Sequence, residues 1–297
     1  MIKNLRFYRV HSDWPSTEVE VSEQLENAAF KPCPAFSERS MGFEPPVENA
    51  GDLLCRSLAG ADLIQMRLQS RVLPTAAVKE ALVERVVAFV NRTGRDPSRK
   101  EKREMKEEVF GELLPRALLK SDRIAAFYIK AEKILAVGTS SANNAERLLD
   151  CLRSALGSMQ AVPLEYKNPA HGLMTNVFLG DAPNEFGLGR ECRMKDLAEP
   201  KSTVNWLDMD LSDSSVRAHV KGGLSIDRVG VQFDGLLRCT IDQELVLRKI
   251  RLEGIEELDD LDDEDPVGKH DAEFTLFCGL TTRLLGALKK NLRGYAL

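Results

Sequence analysis

The residues of this chain whose types and spacing could do chemistry are cations. Between Arg92 and Lys106 stand Arg92, Arg95, Arg99, Lys100, Lys102, Arg103 and Lys106, seven basic residues against three acidic ones, and the run passes into an apolar-patterned segment ending at Leu-Leu-Pro-Arg. Arg116 closes that turn. Guanidinium and ammonium groups concentrated on one rigid element neutralise phosphates without reading base edges, because backbone contacts carry no sequence information. The same spacing admits another use. Lys100 and Glu104, like Arg103 and Glu107, stand four apart, where helical ion pairs form, and a charge run of this kind also describes a solvated helix face.

Nucleophilic, nucleotide and metal chemistry have no comparable pattern. The chain contains no G-x-x-x-x-G-K-[ST], H-E-x-x-H or G-x-S-x-G motif, and His11, His171, His219 and His270 lie far apart. The carboxylates of Asp259 to Asp265 could be imagined around Mg²⁺ in a nuclease, yet the cluster lacks the glycine and terminal glutamate of a calcium loop and its consecutive acids point in all directions. It reads as a solvated acidic loop. Gly180 to Gly189 also reads as loop, and Lys221-Gly222-Gly223 as a tight turn entering a strand, a phosphate nest being the alternative. Six cysteines (Cys33, Cys55, Cys151, Cys192, Cys239, Cys278) form no C-x-x-C pair, which argues against zinc or a disulfide framework and for thiols in a reducing cytoplasm. No enzymatic turnover, cofactor or metal is expected.

Charge is unevenly placed. The formal net charge is −5, but Glu256 to Asp265 holds eight acids and no base, so without that segment the remainder is +3. From Arg71 to Lys130 there are fourteen Lys or Arg against nine Asp or Glu. Such polarity orients a protein on a polyanion. The N-terminal MIKNLRFYRV has charges inside its apolar run and is not a signal peptide, and no segment has the length of a membrane span.

Several elements must position these groups. Leu5 to Val10 and Leu63 to Leu68 alternate as strands, with a short helix expected over Val21 to Phe30. Val78, Leu82, Val86 and Phe89 trace the inner stripe of a helix capped by Thr75. A second helix is expected from Asp96, with Pro97 at its first position, burying Met105, Val109, Phe110, Leu113 and Leu114 and ending at Pro115. Ile124 to Ile129 and Ile134 to Val137 read as a hairpin. A helix then begins near Asn143 or Asn144, buries Leu148, Leu149, Leu152 and Leu156, and closes at Gly157. The pattern is weak over His171 to Pro200. Leu224 to Phe233, Leu236 to Ile241 and Leu245 to Leu252 form an antiparallel meander with turns at Asp234-Gly235 and Asp242-Gln243, and Ala272 to Leu292 is a helix with Phe274, Phe277, Leu284, Leu285 and Leu288 inward.

An ordered set of short motifs adds to this α+β reading: KNLRFYR, AFKPC, MGFEPP, LLPRALL, LRSALGS, VPL and DAEFTL, spread from Lys3 to Leu276. In that order and at those separations the chain resembles the bacterial recombination-associated RdgC family. The resemblance implies a multi-subdomain, horseshoe-shaped α+β monomer with antiparallel sheets, closing into a ring-shaped homodimer whose positive hole surrounds double-stranded DNA and which restrains RecA-mediated recombination. It implies a cytoplasmic, nucleoid-associated protein divided as 1–74 (an N-terminal unit packing with the C-terminal part), 75–165 (basic helix, hairpin and dimer contact), 166–230 (a projecting tip) and 231–297 (meander and last helix). Arg92, Arg95, Arg99, Lys100, Lys102, Arg103, Lys106 and Arg116 fall on the channel side. Leu114, Pro115, Leu118 and Leu119 match one dimer contact, Leu118 replacing a family phenylalanine, and Trp206 offers an apolar anchor at the other. The tip motif here is NWLDMDL, where Asp208 and Asp210 replace a basic stretch and speak against DNA contact. The alternative partner is a recombination or replication protein bound through an acidic surface, with weak DNA binding.

Overall fold

The computed structural model describes residues 2–199, 201–254 and 265–296. Two compact units emerge, one formed by Met1–Asn27, Pro45–Gln65 and Ala125–Leu297 and the other by Ala28–Glu44 and Met66–Ile124. Both are discontinuous in sequence, so they partition the chain differently from the four contiguous segments expected above. The chain is mixed α/β with antiparallel sheets.

In the larger unit, β1 (Arg6–Val10) pairs antiparallel with β6 (Ile134–Val137) and β7 (Ala161–Pro163). β6 completes a hairpin with β5 (Leu118–Ile129), Ala126 facing Val137 as the sequence pattern predicts. β3 (Cys55–Leu58) pairs with the start of β4 (Ala61–Val72). The first helix, α1, covers Glu18–Leu25 and so begins before the expected Val21, because Thr17 and Glu20 close a capping box. α4 (Ala142–Leu156) is capped by the Ser141 side chain rather than by an asparagine, and ends at Gly157, whose φ is 76°. The last helix, α7 (Pro266–Asn291), buries Phe274, Phe277, Leu284, Leu285 and Leu288 as expected. Phe127 meets Phe274 and Phe277 edge-on, with ring centroids 5.5 and 5.9 Å apart.

The segment of weak pattern is structured. It contains α5 (Ala170–Leu179) and β8 (Phe186–Asp196), so the second half of the supposed Gly180–Gly189 loop is strand. Its signal is faint because β8 carries Gly187, Gly189 and five charged residues among its few apolar positions. A five-stranded antiparallel sheet follows, in the order β12 (Leu247–Leu252), β11 (Leu237–Asp242), β10 (Leu224–Phe233), β8, β9 (Thr203–Trp206). In the three-residue connection Asp234 to Leu236 between β10 and β11, Asp234 and Gly235 both have positive φ, 50° and 70°, and the Leu236 N–H donates to the Phe233 carbonyl. α6 (Ser214–Lys221) ends at Gly222, and Gly223, with φ 99°, makes the turn into β10.

In the smaller unit, β2 (Arg39–Glu44) and the ends of β4 and β5 that lie in this unit follow one another in the sheet. α2 (Thr75–Thr93) has Pro74 at its N-cap, not Thr75, and no side-chain cap. α3 covers Arg99–Leu113 and starts later than Asp96: Ser98 accepts from the Glu101 N–H while the Glu101 carboxylate accepts from the Ser98 N–H. A reciprocal cap satisfies two orphan donors, which outweighs the Asp-Pro signal. Only Val78 of α2 and Val109 of α3 are buried, and Leu114 after it, while Met105, Phe110 and Leu113 are half-buried. Among the described residues no helix is long and apolar enough to cross a membrane.

Candidate nucleic-acid interface

The basic run divides among three elements. Arg92 lies in the last turn of α2, where a cation complements the helix dipole, and Gly94 caps that helix in the left-handed conformation at φ 70°. Arg95 follows in the connecting loop. Its guanidinium binds the Glu101 carboxylate at 2.7 Å and lies 5.2 Å from the Phe89 ring, which Arg92 also approaches at 5.9 Å. Arg95 and the capping bonds from Ser98 hold Glu101 down to a pKa of about 2.

The other cations stand on α3, all exposed. Arg99, Arg103 and Lys106 are spaced i, i+4, i+7 and share one stripe, with Lys102 beside it. Acidic side chains take the other side, and Arg85 of α2 meets Glu108 and Glu112 there at 3.7 and 2.6 Å. The two helical pairs form at the border of the stripes: Lys100 is 3.8 Å from Glu104 and Arg103 is 3.3 Å from Glu107. These side chains are 53–85% exposed, so each pair contributes only about 0.2–0.5 kcal/mol. Arg99, Lys102, Lys106 and Arg116 have no carboxylate within ion-pair distance among the described residues.

Placing Arg99, Lys100 and Lys102 in the first turn of a helix opposes its dipole, at a cost of roughly 0.3–1 kcal/mol per charge at low ionic strength. The first-turn N–H groups of Arg99 and Lys100 have no intrahelical acceptor. An anion there would meet both the side chains and the free donors.

The apolar candidates separate by burial. Leu114 is only 5% exposed, so it serves the fold, whereas Leu118 is 80% and Leu119 47% exposed at the start of β5. Pro115 lies in the 3-10 turn Leu114–Arg116. Sequence reading missed what fixes that turn: the Arg71 guanidinium donates to the carbonyls of Pro115 and Ala117, both at 3.2 Å, and also to those of Cys33 and Pro34. No local signal marks a cation held by four carbonyls.

In the larger unit Trp206 ends the edge strand β9, half-buried against His219 at 5.2 Å, while Leu207 next to it is 68% exposed. The two tip acids are locally engaged. Asp208 accepts from Arg190 at 2.8 Å, which holds its carboxyl below the usual range, and Asp210 is lowered by the hydroxyl and N–H of Ser212. Of the acidic run, Glu256 to Glu264, including Asp262 and Asp263, lie outside the described residues, and Asp265 is the N-cap of α7. The structure does not bring the four histidines together as a triad within the elements described, His219 standing against Trp206 and His270 beside Asp271.

A family model described as "Putative exonuclease, RdgC" matches residues 1–295. The chain belongs to the RdgC family. The recombination-associated protein RdgC of Aeromonas hydrophila is 30% identical over 295 residues, covering 98% of this chain and 97% of that protein. The proteins of that name from Shewanella oneidensis and Pseudoalteromonas atlantica are 30% identical over 298 residues and 27% over 276, covering 98% and 92% of this chain and 97% and 91% of their own. These relatives carry a recombination-associated name, and their likeness to this chain runs along nearly its whole length.

Proposed function

We propose that this chain binds double-stranded DNA without sequence preference, as a horseshoe-shaped protomer of a ring-closing homodimer, and thereby restrains RecA-driven recombination in the nucleoid. The observation that carries the reading is the α3 stripe, in which Arg99 and Lys106 bear no counter-ion among the described residues and Arg99 stands against the helix dipole beside free N–H donors. Arg92, Arg95, Arg116 and the remaining α3 cations extend that surface. Exposed Leu118 and Leu119 support the dimer contact, because apolar side chains this bare on a strand favour burial against a partner. Leu207 beside Trp206 supports a second one. A ring needs two such contacts.

Binding to two unrelated duplexes at several salt concentrations tests this. Replacing Arg99 and Arg103 by Ala should weaken both alike and lower the salt slope by roughly 1.8, at about 0.9 per phosphate contact. An unchanged slope removes α3 from the DNA surface and favours the acidic-surface protein partner. The action is occupation of DNA rather than cleavage. The family description contains the word exonuclease, so end-labelled duplex should be incubated with Mg²⁺ or Mn²⁺: release of nucleotides that disappears in Asp262→Asn/Asp263→Asn would overturn the non-enzymatic reading.

A further inference from the structure

The five-stranded sheet has a second cationic surface that owes nothing to α3. Along β10, Val229, Val231 and Phe233 point into the core, so Arg228, Gly230 and Gln232 alternate onto the other face. On β11 the same alternation puts Leu237, Cys239 and Ile241 inward and Arg238, Thr240 and Asp242 outward. Register then places like charges opposite one another: Arg228 faces Arg193 across β10 and β8, with Asp242 of β11 on its other side, and Arg238 faces Arg251 across β11 and β12. Directly opposed like charges destabilise a sheet, so a pair of such contacts on one face needs a reason outside the fold.

Their satisfaction is incomplete. Arg238 has Glu253, and Arg193 stands 3.5 Å from Asp227 in an ion pair that makes no hydrogen bond from Nε. Arg228 and Arg251 have no carboxylate within ion-pair distance among the described residues. The Nε atoms of Arg193, Arg228 and Arg248 and the hydroxyl of Thr240, a residue only 4% exposed, are buried without hydrogen-bond partners. All four lie on strands of this sheet. Closed to water, these atoms are closed to a ligand as well, so what this face offers an anion is its exposed cations.

The space for one is present. A trough of about 610 Å³ runs over this face, lined by Lys3, Arg190, Arg238, Thr240, Lys249 and Arg251. Its floor is low because Gly189 and Gly230 bring β8 and β10 into backbone contact; a Cβ on Gly189 would lie 2.7 Å from the Gly230 carbonyl carbon. Two acids also line it, each already matched: Glu191 with Lys249 at 2.6 Å and Asp208 with Arg190 at 2.8 Å. Among the described residues Lys3 and Arg251 have no carboxylate partner.

We propose that this trough is a phosphate-binding site, with Lys3, Arg238 and Arg251 converging on the oxygens of one phosphate group and Arg193 and Arg228 extending the positive surface along the sheet. Phosphate fits better than a carboxylate: its tetrahedral oxygens offer acceptors in several directions to donors arriving from separate strands, whereas the acceptor sites of a carboxylate lie in one plane. The group belongs to a nucleic-acid backbone or to a free phosphate, and the experiment separates the two.

Lys3→Gln/Arg251→Gln in the full chain is compared with wild type in two measurements. In the first, duplex binding is followed against salt; a slope lower by roughly 1.8, with α3 intact, supports the site and names a backbone phosphate as its source. In the second, inorganic phosphate is titrated at constant ionic strength while the melting temperature is read; stabilisation of wild type but not of the variant supports the site for free phosphate. An unchanged slope together with equal phosphate responses overturns the proposal. If wild type binds no duplex, the DNA reading fails on its own and the phosphate titration alone decides the trough. Arg251→Gln by itself should melt no lower than wild type, since it removes a like-charge contact, and Arg251→Lys should keep the slope.

Discussion

α3 and the open face of the five-stranded sheet are both positive, yet they neutralise their charge in different ways. On α3 the carboxylates of Glu104 and Glu107 stand one turn from Lys100 and Arg103, in exposed pairs that a phosphate can displace at little cost. On the sheet the strand register fixes Arg228 against Arg193 and Arg238 against Arg251, and no side-chain rotation moves the strands apart. A helix can carry a run of cations because its own sequence supplies the relief one turn away. The sheet takes its counter-ions from neighbouring strands and turns, Asp227 for Arg193 and Glu253 for Arg238, so the fold holds its cations in place and the second surface is the more rigid.

That contrast can be broken at its foundation first. Phe233→Ala removes a side chain 2% exposed that packs 5.3 Å from Phe186 beneath the sheet, and should destabilise the chain by about 3–5 kcal/mol. Chemical denaturation measures it, and a loss below about 1 kcal/mol would mean that the platform is not built on this core. Next in size, Leu118→Asp should open or dissociate the dimer, because a charge in an apolar contact must be desolvated; a mass by light scattering and a sedimentation coefficient both equal to wild type would move the interface elsewhere. The two surfaces should then add: Arg99→Ala/Arg103→Ala combined with Arg251→Gln should lower the salt slope by roughly 2.7, and a combined loss no greater than that of α3 alone would leave the sheet out of duplex binding. The smallest effect concerns the α3 cap. Glu101, with a folded pKa of about 2, stabilises the folded state above the ordinary glutamate pKa and loses that contribution as pH falls towards 2. The melting temperatures of wild type and Glu101→Gln should therefore converge between pH 5 and about 2, and a constant gap across that range would rule out the capping carboxylate as its source.

The two surfaces were not equally legible. The α3 cations are contiguous in the chain, so a window of fifteen residues exposes them, and their i,i+4 partners could be named before any coordinates. The sheet surface draws Lys3, Arg190, Arg238 and Arg251 from distant segments and interleaves them with apolar core residues, which dilutes the charge in every local window. Register and bulges, which no window contains, bring them together. The meander and the last helix were readable because their turns (Asp234-Gly235) and apolar stripes are strong. β8 was hidden by its glycines, the residues that let it approach β10. The start of α3 was misplaced because Asp-Pro is a plausible cap and Ser98 with Glu101 a better one. The role of Arg71 depends on four carbonyls from two loops and had no sequence signature at all.

The six buried, unpaired thiols have a consequence for watching this molecule move. Cys33 belongs to the smaller unit, and Cys55, Cys151, Cys192, Cys239 and Cys278 to the larger. Burial pushes Cys55, Cys192 and Cys239 up to about 12, so almost no thiolate exists until the surrounding structure opens. Alkylation by iodoacetamide, resolved by mass spectrometry of the peptides, then times each opening separately. Cys192 on β8 and Cys239 on β11 lie on the underside of the five-stranded sheet, and Cys33 lies beside the loop that Arg71 holds. The chain carries its own clocks, Cys192 and Cys239 beneath the sheet surface and Cys33 beside the turn that follows α3.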